Sequence, residues 1–327
     1  WPQLAGFKTM LTCTLLEMKA HTPTQYAEPL VELTNQLLHC THLHSVLIKI
    51  VFLQCSVHDV RAVSTTLNLM NTWLTSLLQR MLNDSKNTSE SAPISQPLLR
   101  STFDFAFFFS GMEVLLGSEQ AQVLLKVLEF LYRHFDLLPE AQADKLRAMI
   151  LRQFYWRLLL HWSPTVRNFF LHLLVFRLEK PCGWSLPRRT KLLSGASGWG
   201  GDGELNAAIA LQFDRRLQRL QRLVRQRRTG KRACERPLSP FASDEELPET
   251  LHAYAPAALE MYAQLQQVRL DLERMLSDWE TEAPQRQPEP PQLPALHWDT
   301  SVLDTEEDRV IWVRESDLGK GVRTGVF

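Results

Sequence analysis

Strand alternation is nearly absent from this 327-residue chain. No stretch swings between apolar and polar residues for the length a half-buried strand needs, which excludes a sheet-based fold. Cysteine is scarce as well. The five, Cys13, Cys40, Cys55, Cys182 and Cys234, are odd in number and fall at no framework spacing. They read as free thiols of a reducing compartment, so a cytoplasmic location is expected. Long charge-free apolar runs are missing too. A spanning helix needs about twenty residues with few or no charges. The most apolar windows carry Asp104 and Glu113, or Lys49, or Arg157, His161 and Arg167, so no membrane span is expected. Neither sign of charge is in excess: 36 basic and 36 acidic residues balance, which leaves the whole molecule without an electrostatic preference for nucleic acid or membrane. Glycine-rich pieces occur between Gly183 and Gly203. No strand precedes them and no Gly-Lys-Ser/Thr follows, which excludes a phosphate-cradling loop. The chain opens at Trp1 and reads as a piece of a longer protein, so the lack of a secretory leader excludes nothing.

What the sequence does have is helical periodicity, from Leu4 to Leu178. Candidate helices are Leu4–Lys19, Pro29–His39, His44–Gln54, Asp59–Leu82, Pro97–Leu116, Ser118–Phe135, Pro139–Leu160 and Pro164–Leu178. Pro29, Pro97, Pro139 and Pro164 sit where a helix begins, the position proline tolerates. Short breaks between long helices imply antiparallel neighbours. Residues 1–180 therefore read as an all-α, irregular armadillo- or HEAT-like array. No clean repeat appears at the expected period, and an irregular helical bundle is the alternative.

The densest apolar segment is Phe154–Leu178, two helices meeting at His161-Trp162-Ser163-Pro164. A serine followed by proline is a helix start, because the hydroxyl can accept from first-turn N–H groups and proline loses no needed donor. His161, Trp162 and Arg167 then have two readings. In one, their polar atoms satisfy backbone groups left open where the helices break. In the other, Ser163 and His161 are nucleophile and base, although no third group or oxyanion loop is visible. The first is preferred.

The run Leu159-Leu-His-Trp-Ser-x-x-Val-Arg-x-x-Phe170, preceded by Leu124-Leu-x-Val-Leu-x-Phe-Leu-Tyr132 and an acid-rich spacer, resembles the eukaryotic domain of unknown function 1765 family. The resemblance covers roughly Phe103 to Leu178. It implies a large helical protein with no assigned activity and carries over no catalytic residues.

Leu98–Leu116 is apolar nearly all round and is expected in the middle of the core. Asp104 would then need a partner such as Arg100, Arg157 or Arg167. His39, Cys40, His42, His44, Cys55 and His58 form the best metal candidate, since Cys40/His44 and Cys55/His58 fall one helical turn apart. Their spacings match no finger pattern, and no metal is expected. The triplets Asn83-Asp-Ser85 and Asn87-Thr-Ser89 read as unused glycosylation signals in a polar loop.

Composition changes at residues 181–203, a Gly/Pro-rich linker. Residues 204–232 form a basic amphipathic helix. Ile209, Phe213, Leu217, Leu220 and Val224 make its apolar stripe; Arg215, Arg216, Arg219, Arg222, Arg225, Arg227 and Arg228 cover the rest. Such a helix can lie on an anionic membrane, enter a partner's groove, or dock by its stripe onto the array. Without interleaved aromatics or a reading motif, sequence-specific nucleic-acid binding is not expected. Residues 233–249 read as a disordered connector, in which Ser239 and Ser243 have kinase-accessible context. Residues 250–281 are a long helix packing on the core, and 282–327 a Pro-rich, acidic tail. The expectation is a noncatalytic scaffold for protein partners, with no cofactor and no small-molecule substrate. A peripheral membrane component and a hydrolase using Ser163 and His161 are the alternatives.

Overall fold

The structure is a computed structural model, and it describes residues 5–38, 40–87, 103–179, 213, 215–225, 249–286, 294 and 296. The chain divides into two compact units, Trp1–Pro291 and Gln292–Phe327, and every helix named below lies in the first. No strand occurs among the described residues. The helices are α1 Phe7–Ala20, α2 Glu28–Leu37, α3 His44–Leu53, α4 Val60–Asn87, α5 Phe105–Leu116, α6 Ala121–His134, α7 Glu140–Met149, α8 Tyr155–Leu159 and α9 Pro164–Leu173. Residues 215–225 form α10, and Ala255–Arg286 form α11. Two π-helical turns, Ile150–Phe154 and Leu174–Leu178, join α7 to α8 and extend α9.

Local chemistry explains several starts. Asp59 lies just before α4, where Oδ1 accepts from the N–H groups of Arg61 at 2.9 Å and Ala62 at 3.2 Å. Those are first-turn donors with no partner inside the helix. Pro29 and Pro164 fall in the first turns of α2 and α9, and Pro139 immediately precedes α7. Pro97, the linker at 181–203 and the connector up to residue 248 lie outside the described residues.

Helices pack on the next but one and so form two rows. In one, α1 meets α3, α3 meets α5 and α5 meets α7; in the other, α2 meets α4, α4 meets α6, α6 meets α9 and α9 meets α11. Consecutive helices cross from row to row, as α5 to α6 and α8 to α9 do. The centre is α6, which buries Val123, Leu124, Leu125, Val127, Leu128 and Leu131. Each fully buried side chain of this kind contributes about 1.5–3 kcal/mol. Aromatic rings bridge α3, α5 and α6: Phe52 meets Phe107 and Phe108 edge-on at 6.2 Å, and Phe108 meets Phe130 at 6.4 Å. Gly111 faces the same ring, and a Cβ there would stand 3.4 Å from Phe52, in ordinary contact.

Two expectations need correction. The apolar helix containing Phe105 is not central: Phe108 and Met112 are buried, but Val114 is exposed. Asp104 is not in the core either. Its side chain is 37% exposed, pairs with Lys49 at 2.5 Å and caps α5 by accepting from the Phe107 N–H at 3.0 Å. The bond from Lys49 and the cap hold its carboxyl below the usual range, the direction expected of a carboxylate with a cation and a helix start beside it.

Candidate functional site

The α8–α9 corner is a closed, hydrogen-bonded junction. Ser163 precedes Pro164 in an extended conformation, because the proline ring excludes the α region for its predecessor. Its hydroxyl does not cap α9 as the sequence suggested. Instead the Ser163 N–H donates to His161 Nδ1 at 3.1 Å. Arg167, one turn into α9, donates from one Nη to the carbonyls of His161 at 2.6 Å and Trp162 at 2.9 Å. Those carbonyls lie past the end of α8 and have lost their helical donors, so the guanidinium supplies what the backbone lacks. Tyr254 lies over the same guanidinium at 5.4 Å, and Trp162 lies against the His161 ring at 5.2 Å. His161 and Ser163 are 7% and 4% exposed. Burial, with the charges of Arg157 and Arg167 adding to it, pushes the His161 imidazole down to about 4. The ring is therefore neutral at physiological pH, as accepting through Nδ1 requires.

The same device recurs at other helix ends. Arg157 donates to the Ser118 carbonyl at 2.7 Å. Arg177, in the second π turn, donates to the Tyr132 carbonyl at 2.9 Å and pairs with Asp136. Arg216 of α10 reaches the Leu151 carbonyl in the first π turn. Its guanidinium lies over the Tyr155 ring at 5.1 Å and the Trp156 ring at 6.0 Å.

That contact fixes the basic helix. Of the positions expected to face a partner, a membrane or, by the apolar stripe, the array itself, Arg216, Leu220 and Val224 are buried, Leu220 at 0% and Val224 at 8% exposure. The stripe is occupied by the protein itself. Phe213 extends the contact, edge-on to Tyr155 at 5.9 Å and 6.1 Å from Tyr262. Arg215, Arg222 and Arg225 are exposed, and Leu217 and Arg219 half-buried. Arg227, Arg228, Ser239 and Ser243 lie outside the described residues.

One cluster escaped the sequence reading. Glu179, just past the second π turn, is half-buried against α11 and accepts from Tyr262 Oη at 2.9 Å, Gln266 Nε2 at 2.8 Å and Arg269 Nη1 at 2.9 Å. Burial outweighs these partners and holds its carboxyl above the ordinary range. Tyr262, Gln266 and Arg269 recur at four and three residues on one helix face. That spacing was the available signal, masked by the apolar residues beside it.

His44 turns its Nε2 to the Leu38 carbonyl at 2.7 Å, and His39 lies outside the described residues. Among the described residues no group of three or more His, Cys, Asp and Glu converges as metal ligands. A crevice lined by Ile48, Phe103, Phe108, Phe130 and His134 is walled by apolar side chains. The His134 Nε2 within it is engaged by Asn71 Oδ1 at 2.8 Å. No described helix is long and apolar enough to cross a membrane.

No curated protein and no solved structure matches the chain. Residues 44–178 match a family model described as protein of unknown function (DUF1765). The matched stretch opens with α3 and closes with the second π turn, and lies within the first compact unit. The family model that matches is that of the family which the Leu-His-Trp-Ser block resembles.

Proposed function

We propose that the chain is a noncatalytic helical scaffold, an armadillo- or HEAT-like array that holds protein partners on its outer surfaces. The carrying observation is the two-row packing, each helix against the next but one, because such arrays present long continuous faces over a core made by neighbours. The corner supports the same reading. His161 and Ser163 are buried, and the imidazole and Arg167 are engaged with backbone groups, whereas a nucleophile and base need room for a substrate atom within about 3 Å. The membrane alternative is weakened, because Leu220 and Val224, which would enter the lipid, are packed inside the protein. Phosphorylation of Ser239 or Ser243, in the acidic segment that follows the arginines, would set a strong anion beside those cations and so adjust what they hold.

The test is biochemical. Purified full chain is expected to bind affinity-captured partners saturably once each is itself purified, and to leave ester and amide substrates intact. Hydrolysis that disappears in Ser163→Ala, with helicity unchanged by circular dichroism, would overturn the proposal.

A further inference from the structure

We infer that the outward arginines of α10, with Arg152 of the neighbouring π turn, form a docking surface for a carboxylate-bearing helix of a partner protein. This deepens the scaffold reading and rests on it for the class of partner.

The inward face of α10 is committed: Arg216 is bound to the Leu151 carbonyl, and Leu220 and Val224 are buried. The helix is therefore held in one orientation, and its remaining side chains point away from the core in a fixed pattern. Arg215 and Arg222 are exposed and Arg219 is half-buried, and among the described residues no carboxylate pairs with any of the three. The core treats its arginines differently: Arg133, Arg147, Arg177 and Arg269 each have an acidic partner. Positions 215, 219 and 222 recur at four and three residues, which places them along one side of the helix, neighbours about 5–6 Å apart. Arg152 is exposed on the π turn, next in sequence to the residue that receives Arg216, so a further cation stands on the turn that α10 is bound to.

Residues 215–228 hold seven arginines, no lysine and no acid. Arginine's rigid fork pairs with a carboxylate through two parallel bonds, which lysine cannot do. Gln218 and Gln221 are exposed on the same outer surface and offer neutral hydrogen bonds around those pairs. Glutamates spaced four and three residues apart on a facing helix would meet Arg215, Arg219 and Arg222 in register. An anionic bilayer fits this surface less well, since its extra attraction comes from apolar side chains entering the lipid, and those are buried here.

The test uses the full chain and a labelled synthetic helical peptide with glutamates at four- and three-residue spacing. Its glutamine counterpart, phosphatidylserine vesicles and a short single-stranded RNA are compared beside it. The glutamate peptide is expected to bind saturably and to weaken as salt is raised. Its affinity is expected to fall by about tenfold or more in Arg215→Gln/Arg219→Gln/Arg222→Gln, as the loss of several charge-assisted bonds requires, with the unfolding midpoint unchanged. Arg152→Gln alone is expected to weaken it less. No binding of the glutamate peptide, equal binding of the glutamine peptide, binding indifferent to the triple substitution, or a preference for vesicles or RNA through the same arginines would each overturn the inference. If a purified partner still binds the triple variant fully, this surface fails while the scaffold reading stands. Serine-dependent hydrolysis would remove the scaffold reading and leave the peptide result to stand by itself.

Discussion

Arginine does the joining in this molecule. At Arg157, Arg167, Arg177 and Arg216 a guanidinium meets a backbone carbonyl at a helix end, a corner or a π turn. Arg167→Met is expected to destabilise the protein by about 2–4 kcal/mol, because two carbonyls of the corner lose their donor while staying buried. Urea unfolding would measure this. Arg167→Lys should recover only part, since one ammonium cannot reproduce the fork. The corner also predicts acid sensitivity. His161 and His134 are both pushed from 6.5 to about 4 in the folded protein, chiefly by burial. Below pH 6.5 the unfolded chain takes up protons that the folded chain refuses. Stability contributed by the neutral rings is therefore whole above that value, declines as the pH falls toward 4, and is gone below it. The loss is up to about 3 kcal/mol for each ring. Unfolding midpoints between pH 7 and 4 should show it, with a shallower slope in His161→Gln. Arg167 was legible in the sequence, because Ser163-Pro164 announces a break whose carbonyls need donors. Arg216 was not. A helical wheel places it among the other arginines, and only the carbonyl of Leu151 distinguishes it.

Among the elements, α11 depends most on one residue outside itself. Glu179 gathers Tyr262, Gln266 and Arg269, while Ala255 and Ala258 pack beneath the first turns. Glu179→Ala removes all three bonds that tie this face of α11 to the end of the second π turn. Hydrogen exchange in residues 255–286 is expected to quicken well before that of α4 and α6, because a locally anchored element opens without the core. Equal acceleration everywhere would mean that α11 is part of the global fold. Helix starts marked by proline were readable, since Pro29, Pro139 and Pro164 all fall where a first turn forms. The start of α5 was not, because a carboxylate inside an apolar run looks like a buried charge until Lys49 and the Phe107 N–H show it to be a cap. The π turns were also hidden. A run of Ile, Leu and Phe has no polar residue to mark where the helical repeat lengthens.

For the whole molecule the fold class was visible in periodicity, yet the order of the rows was not, because apolar content does not say which helix lies between others. α6 does, touching α4, α5 and α9. Leu128→Ala at its centre is expected to cost about 2–5 kcal/mol. Leu16→Ala in α1, where the side chain is 60% exposed, should change stability by less than about 0.5 kcal/mol. Paired thermal melts would check both. The first π turn carries a further consequence. A π turn holds one residue more than the α turn it replaces, which resets the helical phase by about 100° for everything downstream. Deleting any single residue from Ile150–Phe154 would restore an ordinary α-helix and swing Tyr155 and Trp156 away from Arg216. A one-codon loss here would thus undock the arginine helix without touching it.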